Sequence, residues 1–225
     1  MALKRLDWDS TFFGIDIATI ENFETLTAEQ LKKFDLVTFK VMTSDFDIVS
    51  KLHEYNFVPV EGELLFRKTV SVKYVPQIDN NLAIATENEI DEVANLAMES
   101  YQHSRFKKPW FSEEHRNQFY AEWAKKAVLG TFDDICIIYK AEEAVTGFIT
   151  LRKIKNKLVI GLIAVSENYR GQGIAAALLD RANNFALENN CDEIQVATQL
   201  SNISAANLYI KNDYLLSESS IWFYK

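Results

Sequence analysis

Cysteine is nearly absent from this chain. Its 225 residues hold two, Cys136 and Cys191, each isolated in an apolar stretch. Disulfide frameworks and cysteine-based metal sites are thereby excluded, and both thiols read as buried small hydrophobes. Neither has an adjacent basic residue to lower its pKa, as a catalytic cysteine would need. His53, His103 and His115 are equally sparse and lack metal-ligand spacing, so no metal is expected. Long apolar runs are missing too: the longest, Leu158 to Val165, is far short of the ~20 residues that span a bilayer as a helix. The start, Met1 to Ser10, carries Lys4, Arg5, Asp7 and Asp9 in place of an apolar signal segment, and the expected location is the cytoplasm. Positive charge is in deficit, 24 Lys and Arg against 32 Asp and Glu, net -8. Such a molecule repels nucleic acid and anionic lipid as a whole. A local anion site built from backbone N–H groups stays open. No period of 20 to 50 residues and no low-complexity segment occurs, which excludes solenoids and arrays.

What is present is core material, 48% hydrophobic and 12% aromatic residues. The apolar pattern breaks once, around Val75-Pro76-Gln77-Ile78-Asp79-Asn80-Asn81, and the expected domains are 1–77 and 78–225. In the first, residues 15–20 and 36–41 read as strands. Residues 27–34 read as a helix with Thr27 as N-cap and Gln30 at the capping-box position. Residues 45–55 form a second helix, and 57–67 one or two strands. In the second, strands at 82–86, 135–140, 147–152, 157–165, 193–198 and 220–224 alternate with helices at 89–98, 113–128, 174–188 and 204–211. Hairpin-paired strands followed by helical crossovers predict an α/β (α+β) chain with a mixed sheet, preceded by a smaller N-terminal α/β domain.

Between the apolar strand ending at Val165 and the apolar helix starting at Ile174 lies Arg170-Gly171-Gln172-Gly173. Two glycines at a helix N-terminus let several N–H groups converge with the helix dipole behind them, which suits a pyrophosphate. Taken alone, the pair makes no more than a tight turn. The six-residue dinucleotide fingerprint and the Lys-Ser/Thr ending of a P-loop are both missing, so NAD and ATP are poorly supported and coenzyme A remains.

The segment Arg170-Gly171-Gln172-Gly173-Ile174-Ala175 resembles the Arg/Gln-x-x-Gly-x-Gly/Ala motif of the GNAT N-acetyltransferase superfamily. Asn202-Ile203-Ser204-Ala205-Ala206-Asn207-Leu208-Tyr209, ending in Asp213-Tyr214, is similar to that family's Asn-x-x-Ala-x-x-Leu-Tyr-x-x-x-Gly-Phe element, with Asp and Tyr in place of Gly and Phe. The resemblance implies a mixed, mainly antiparallel central sheet flanked by helices and acetyl-CoA as co-substrate. It implies cofactor contacts at Leu162, Ile163, Val165, Arg170, Gly171, Gln172, Gly173, Ile174 and Ala175, with the pantetheine arm added beside the strand at Leu162 to Val165. It places Tyr209 near the thioester sulfur, and Asn202 either on the pantetheine or as a helix cap.

Acetyl transfer to an amine needs a neutral nucleophile, a polarised carbonyl and a proton for the leaving thiolate. Tyr209 is the candidate acid, since a phenol is neutral at pH 7; a packed core tyrosine is the plainer alternative. Glu63, which shares a strand face with Glu61, is the candidate base, against the plainer reading of two solvated carboxylates. The stretch Tyr101 to Phe111 gathers Arg105, Lys107 and Lys108 among aromatics. Arg105, Lys107 and Lys108 could meet a second phosphate group while Phe106, Trp110 and Phe111 cover a ring, or the stretch is a surface turn with snorkelling basic side chains. Three segments carry a narrower resemblance: Leu6 to Gly14; Ser104-Arg105-Phe106 with Pro109-Trp110; and Val196 to Gln199 with Tyr209 and Trp222-Phe223-Tyr224. They resemble the branch of the superfamily that acetylates the 4-amino group of TDP-linked amino-deoxy sugars in bacterial surface-polysaccharide synthesis, with Gln199 among the acceptor contacts. The expected function is that reaction on a nucleotide-sugar acceptor. The alternatives are acetylation of a peptide or small polyamine, and a non-catalytic coenzyme A-binding module. The apolar ending Ile221-Trp222-Phe223-Tyr224 and the edge strands allow a homodimer without demanding one.

Overall fold

The computed structural model describes residues 2–71 and 79–225. The expected boundary at 77/78 lies outside the described residues. The chain divides into a first unit of Met1–Leu64, Gln199–Ser201 and Glu218–Lys225, and a second of Leu65–Thr198 and Asn202–Ser217.

In the first unit, β1 (Leu3–Arg5) pairs antiparallel with β2 (Ile17–Ile20), β2 runs parallel to β3 (Leu36–Met42), and β3 pairs antiparallel with the end of β10 (Leu215–Tyr224). The last strand of the chain thus completes the sheet of its first unit. Helix α1 (Asp7–Phe13) is one that sequence patterning did not mark. It places Asp7 and Asp9 at the positive end of its dipole and ends on Gly14 in the left-handed region, φ 67°, whose N–H reaches the Ser10 carbonyl. Ser10 Oγ accepts from Ile17 N and donates to Ile17 O, tying the helix to β2. Helix α2 (Ala28–Leu31) opens with the expected capping box of Thr27 and Gln30 but stops after four residues. With α3 (Phe46–Glu54) these elements enclose a core of Ala18, Leu31, Val37, Val41, Leu52 and Phe57.

In the second unit the strand order is β4 (Val58–Thr69), β9 (Glu193–Gln199), β8 (Lys157–Val165), β7 (Ala144–Ile154), β6 (Ile135–Ala141), β5 (Leu82–Ile84). Strands β5 to β8 are antiparallel neighbours, whereas β8 and β9 run parallel through the crossover helix α6 (Ile174–Glu188), so the sheet is mixed, as expected. Helices α4 (Ile90–Ser100) and α6 both pack on β7, which is buried from Thr146 through Leu151. An unbroken buried run of this kind marks a strand covered on both faces. Helices α5 (Glu113–Val128) and α7 (Ile203–Lys211) complete the unit, α5 packing on α4, β6 and β7.

Because Phe148 on β7 is fully buried, Phe148→Ala is expected to destabilise the second unit by about 3–5 kcal/mol. Urea unfolding followed by near-ultraviolet circular dichroism would check it.

Candidate active site

The arrangement begins with β8 and β9 parting. They are paired from Lys157↔Glu193 only to Ile160↔Val196, although β8 continues to Val165 and β9 to Gln199. The parting coincides with a bulge. Between the pairs Ile149↔Ile163 and Leu151↔Ile160, one residue of β7, Thr150, faces two of β8, Gly161 and Leu162. Leu162 N–H donates to Thr150 Oγ1 at 2.9 Å, and Ser166 N–H donates to the Thr146 carbonyl at 2.8 Å, so both point towards β7. By alternation Ile163 and Val165 turn their backbone groups away from β7, onto the edge that β9 has left. The Ile163 carbonyl there accepts from Tyr101 Oη at 3.1 Å, and the Val165 carbonyl from Arg170 Nε at 3.3 Å. What the edge still offers is its N–H groups.

The loop after β8 leads into α6 through Gly171 and Gly173 at φ 76° and 85°. Side chains rarely adopt that region, so the glycines are required here by backbone geometry. Gly171, Gln172 and Gly173 are exposed, and α6 has neither a side-chain N-cap nor an acidic residue in its first turn. Every other described helix has one or the other: side chains of Thr27, Asp45, Ser112 and Asn202 cap α2, α3, α5 and α7, and α1 and α4 carry acids in the first turn. The N–H groups of α6 are thus left to an external acceptor, and an anion is the natural one. Gln172 Nε2 is turned back onto the Asn168 carbonyl at 3.4 Å, away from that mouth. Ile174 is buried and Ala175 half-buried.

Asn202 caps α7 through its Oδ1, which accepts from Ala205 N at 3.2 Å and Ser204 Oγ at 2.9 Å. Of the two roles foreseen for it, the cap is the one formed, and its amide Nδ2 is left as a donor. Tyr209 on α7 is 2% exposed and packs against Phe66 and Tyr214 at ring-centroid distances of 5.4 and 5.8 Å. Burial pushes its phenol above the ordinary value. Tyr101 stacks on Tyr120 at 4.3 Å, and its phenol is pushed up by burial first and by the neighbouring Tyr209 and Tyr120 hydroxyls next. Tyr101 is thus part of the site although sequence reasoning left it out. The available signal was its position at the end of α4, next to the basic and aromatic stretch.

That stretch is anchored rather than loose. Ser104 Oγ bonds Tyr120 Oη at 2.9 Å and accepts from Phe106 N at 3.0 Å. Phe106 is 4% exposed, its ring 5.2 Å from Phe111 and 4.4 Å from Phe119. Its ring therefore lies in the core instead of on an open face. Arg105 lies over that ring at 4.2 Å, and Lys107 and Trp110 are half-buried. Glu63 and Gln199 belong to the first unit. There Glu63 Oε1 accepts from Lys40 Nζ at 2.8 Å and Oε2 from Trp222 Nε1 at 3.0 Å, while Gln199 ends β9 half-buried. Both Glu63 oxygens are thus engaged within the first unit. Among the described residues no group of His, Cys, Asp or Glu converges to hold a metal, and no helix is long and apolar enough to cross a membrane.

A parallel pair that splays at a bulge, followed by a glycine loop and an uncapped helix, is the arrangement that family comparison then places. Residues 90–214 match the Acetyltransferase (GNAT) family. The chain belongs to that family. It is an acyltransferase by membership, and its relatives agree. It is 29% identical over 229 residues to the dTDP-fucosamine acetyltransferase of Escherichia coli O6:H1, covering 100% of this chain and 98% of that one. Among solved structures it is similar to a GCN5-related N-acetyltransferase from Sphaerobacter thermophilus, with TM-score 0.62 and 16% identity over 84% of this chain and 59% of that one. It is also similar to the PaiA N-acetyltransferase from Thermoplasma acidophilum in complex with coenzyme A, with TM-score 0.52 and 17% identity over 64% of this chain and 98% of that one. At such identities the two structures speak for the fold alone.

A side chain at Gly173 would strain the mouth of α6 by about 1–2 kcal/mol. Gly173→Ala is therefore expected to lower the melting temperature by about 2–8 °C, measured by calorimetry.

Proposed function

We propose that this acetyltransferase moves the acetyl group of acetyl-CoA to the 4-amino group of a TDP-linked amino-deoxy sugar, by direct attack of the amine on the thioester. The observation that carries the acceptor is the extent of the likeness to the dTDP-fucosamine acetyltransferase, which runs over the whole chain, first unit included. The anchored Arg105 and Lys107 supply positive charge suited to an anionic nucleotide in a protein of net charge -8.

The residues divide the work as follows. The N–H groups of Gly171 to Ala175, at the open end of α6, take the diphosphate of the co-substrate, with Arg170 beside them. The free edge of β8 takes the amide-bearing pantetheine arm as an added strand, with Val165 N–H as a donor and Asn202 Nδ2 as a second. Ile163 N–H meets the thioester carbonyl oxygen, where negative charge develops as the amine nitrogen bonds to the carbonyl carbon. Tyr209 gives its phenolic proton to the departing sulfur as the carbon–sulfur bond breaks; the acylated nitrogen loses its extra proton to water and the Tyr209 phenolate takes one back from solvent, so the products are the neutral amide and the free thiol. Burial keeps that phenol neutral to higher pH than usual, which preserves the acid form.

Tyr209→Phe is expected to lower kcat by about 10²- to 10⁴-fold while coenzyme A affinity stays as it was; full turnover by the variant would remove Tyr209 from the acid role. Since its phenol titrates above the ordinary ~10, the kcat profile of the native enzyme should show no alkaline fall below that pH. The acceptor is tested by thiol release from acetyl-CoA with a panel of TDP-4-amino-sugars, peptides and polyamines. Preference for a peptide or polyamine would overturn the sugar assignment, and no release with any amine would leave coenzyme A binding without catalysis.

A further inference from the structure

The bulge in β8 is held by a buried carboxylate that the reaction as described does not use. Asp133, just before β6, is 1% exposed. Its Oδ2 accepts from Trp123 Nε1 on α5 at 2.8 Å and from Thr150 Oγ1 on β7 at 2.6 Å. Thr150, fully buried, passes the contact on by accepting from Leu162 N–H at 2.9 Å. The Arg152 guanidinium stands 4.0 Å from Asp133 Oδ1, without a hydrogen bond from its Nε. Gly161 completes the device: a Cβ there would collide with Asp133 Oδ2 and Thr150 Oγ1, so the first residue of the bulge must lack a side chain.

The bulge matters because it sets phase. Successive residues of a strand present their backbone groups to opposite edges, and one extra residue reverses the order beyond it. Ahead of the bulge Ile160 pairs on the β9 side. Past it Ile163, not Leu162, turns to the free edge. Burying a carboxylate is costly unless it is hydrogen-bonded, and a bulge can be closed by neutral groups. Trp123, Asp133, Thr150 and Leu162 N–H form a chain of side chains from α5 to the one amide next to Ile163. A chain of this kind places a peptide unit to within tenths of an ångström, which a donor to developing charge requires.

We propose that Asp133 and Thr150 are positioning residues for acetyl transfer, fixing the Leu162 peptide so that the Ile163 N–H is aimed at the thioester carbonyl oxygen. This rests on the reading of Ile163 N–H as the donor to that oxygen. It is independent of which amine is the acceptor.

The test uses the full chain, [1-13C]acetyl-CoA without acceptor, and the infrared band of the bound thioester carbonyl. In the native protein the band lies below its solution frequency, as expected for a carbonyl that accepts a hydrogen bond. In Thr150→Val, which keeps shape and loses the hydroxyl, and in Asp133→Asn, the band moves back towards the solution value, with coenzyme A affinity by calorimetry retained. With the accepted amine, kcat falls by about 10- to 100-fold and KM for acetyl-CoA stays close to native. Thr150→Ser, which keeps the hydroxyl, restores both band and kcat. A shifted native band that Thr150→Val leaves in place overturns the proposal by itself. A native band at its solution frequency overturns the donor reading along with it. Failure of a TDP-sugar to turn over touches only the acceptor assignment, because the band is read without one. Should Asp133→Asn not fold, Thr150→Val against Thr150→Ser decides.

Discussion

The second unit depends on leaving main-chain donors unsatisfied in two places at once. One is the edge of β8 beyond Ile160, the other the first turn of α6, and an eight-residue stretch, 166–173, with two glycines joins them. Unpaired backbone donors are expensive when buried, so both are kept at an opening. The remainder of the unit tolerates them because β7 is buried on both faces and α6 seats Ile174, Leu178 and Leu179 against the sheet. An uncapped helix end would otherwise forgo about 1 kcal/mol of capping. An anionic ligand at that end recovers it. The same main chain that cannot satisfy itself is therefore the main chain that can hold a diphosphate and an amide-bearing arm, even in a protein whose net charge repels anions.

The carbonyls on that edge are treated differently from the N–H groups. Tyr101 occupies the Ile163 carbonyl and Arg170 the Val165 carbonyl. An edge carrying both donors and acceptors is a template for any strand. With its acceptors partly covered, this one favours partners that bring carbonyls of their own, as amide and thioester groups do. Tyr101 thereby ties the end of α4 to the floor of the site, and its stack on Tyr120 carries that tie into α5.

Much of this was readable from residue order where spacing is local. The capping box of Thr27 and Gln30, the strand at 157–165 and the helix at 174–188 follow from period and punctuation, and they formed as expected. The lone Gly161 inside an apolar run is the ordinary sign of a bulge, but its partners Asp133 and Thr150 are brought to it only by the sheet. Helix α1 escaped notice because Asp7–Phe13 is short, lacks a side-chain cap, and spreads aromatics without a helical stripe. The start of β10 is exposed from Leu215 to Ser217 and runs into Ser217-Glu218-Ser219, so it reads as loop although it is extended. That β10 closes the sheet of the first unit is a pairing between chain ends, invisible to any local pattern. Phe106 shows the limit of composition: an aromatic among cations suggests a stacking platform, yet Phe111 and Phe119 supply enough apolar surface to draw it inside.

The two phenols at the site illustrate how burial assigns chemical roles. Both Tyr101 and Tyr209 are held protonated by the cost of a buried phenolate. Tyr101 spends its proton on a carbonyl, a fixed acceptor, and so acts as a strut. Tyr209 has no such acceptor among the described residues, and its ring is fixed between Phe66 and Tyr214. A donor held neutral, fixed in direction and without a standing partner is poised for an acceptor that appears only during the reaction. A thiolate leaving group is such an acceptor, being far more basic than the thioester sulfur from which it forms. In the proposed acid role the contact to Tyr209 would strengthen as the carbon–sulfur bond breaks, which is the condition for an interaction to raise the rate rather than merely tighten binding.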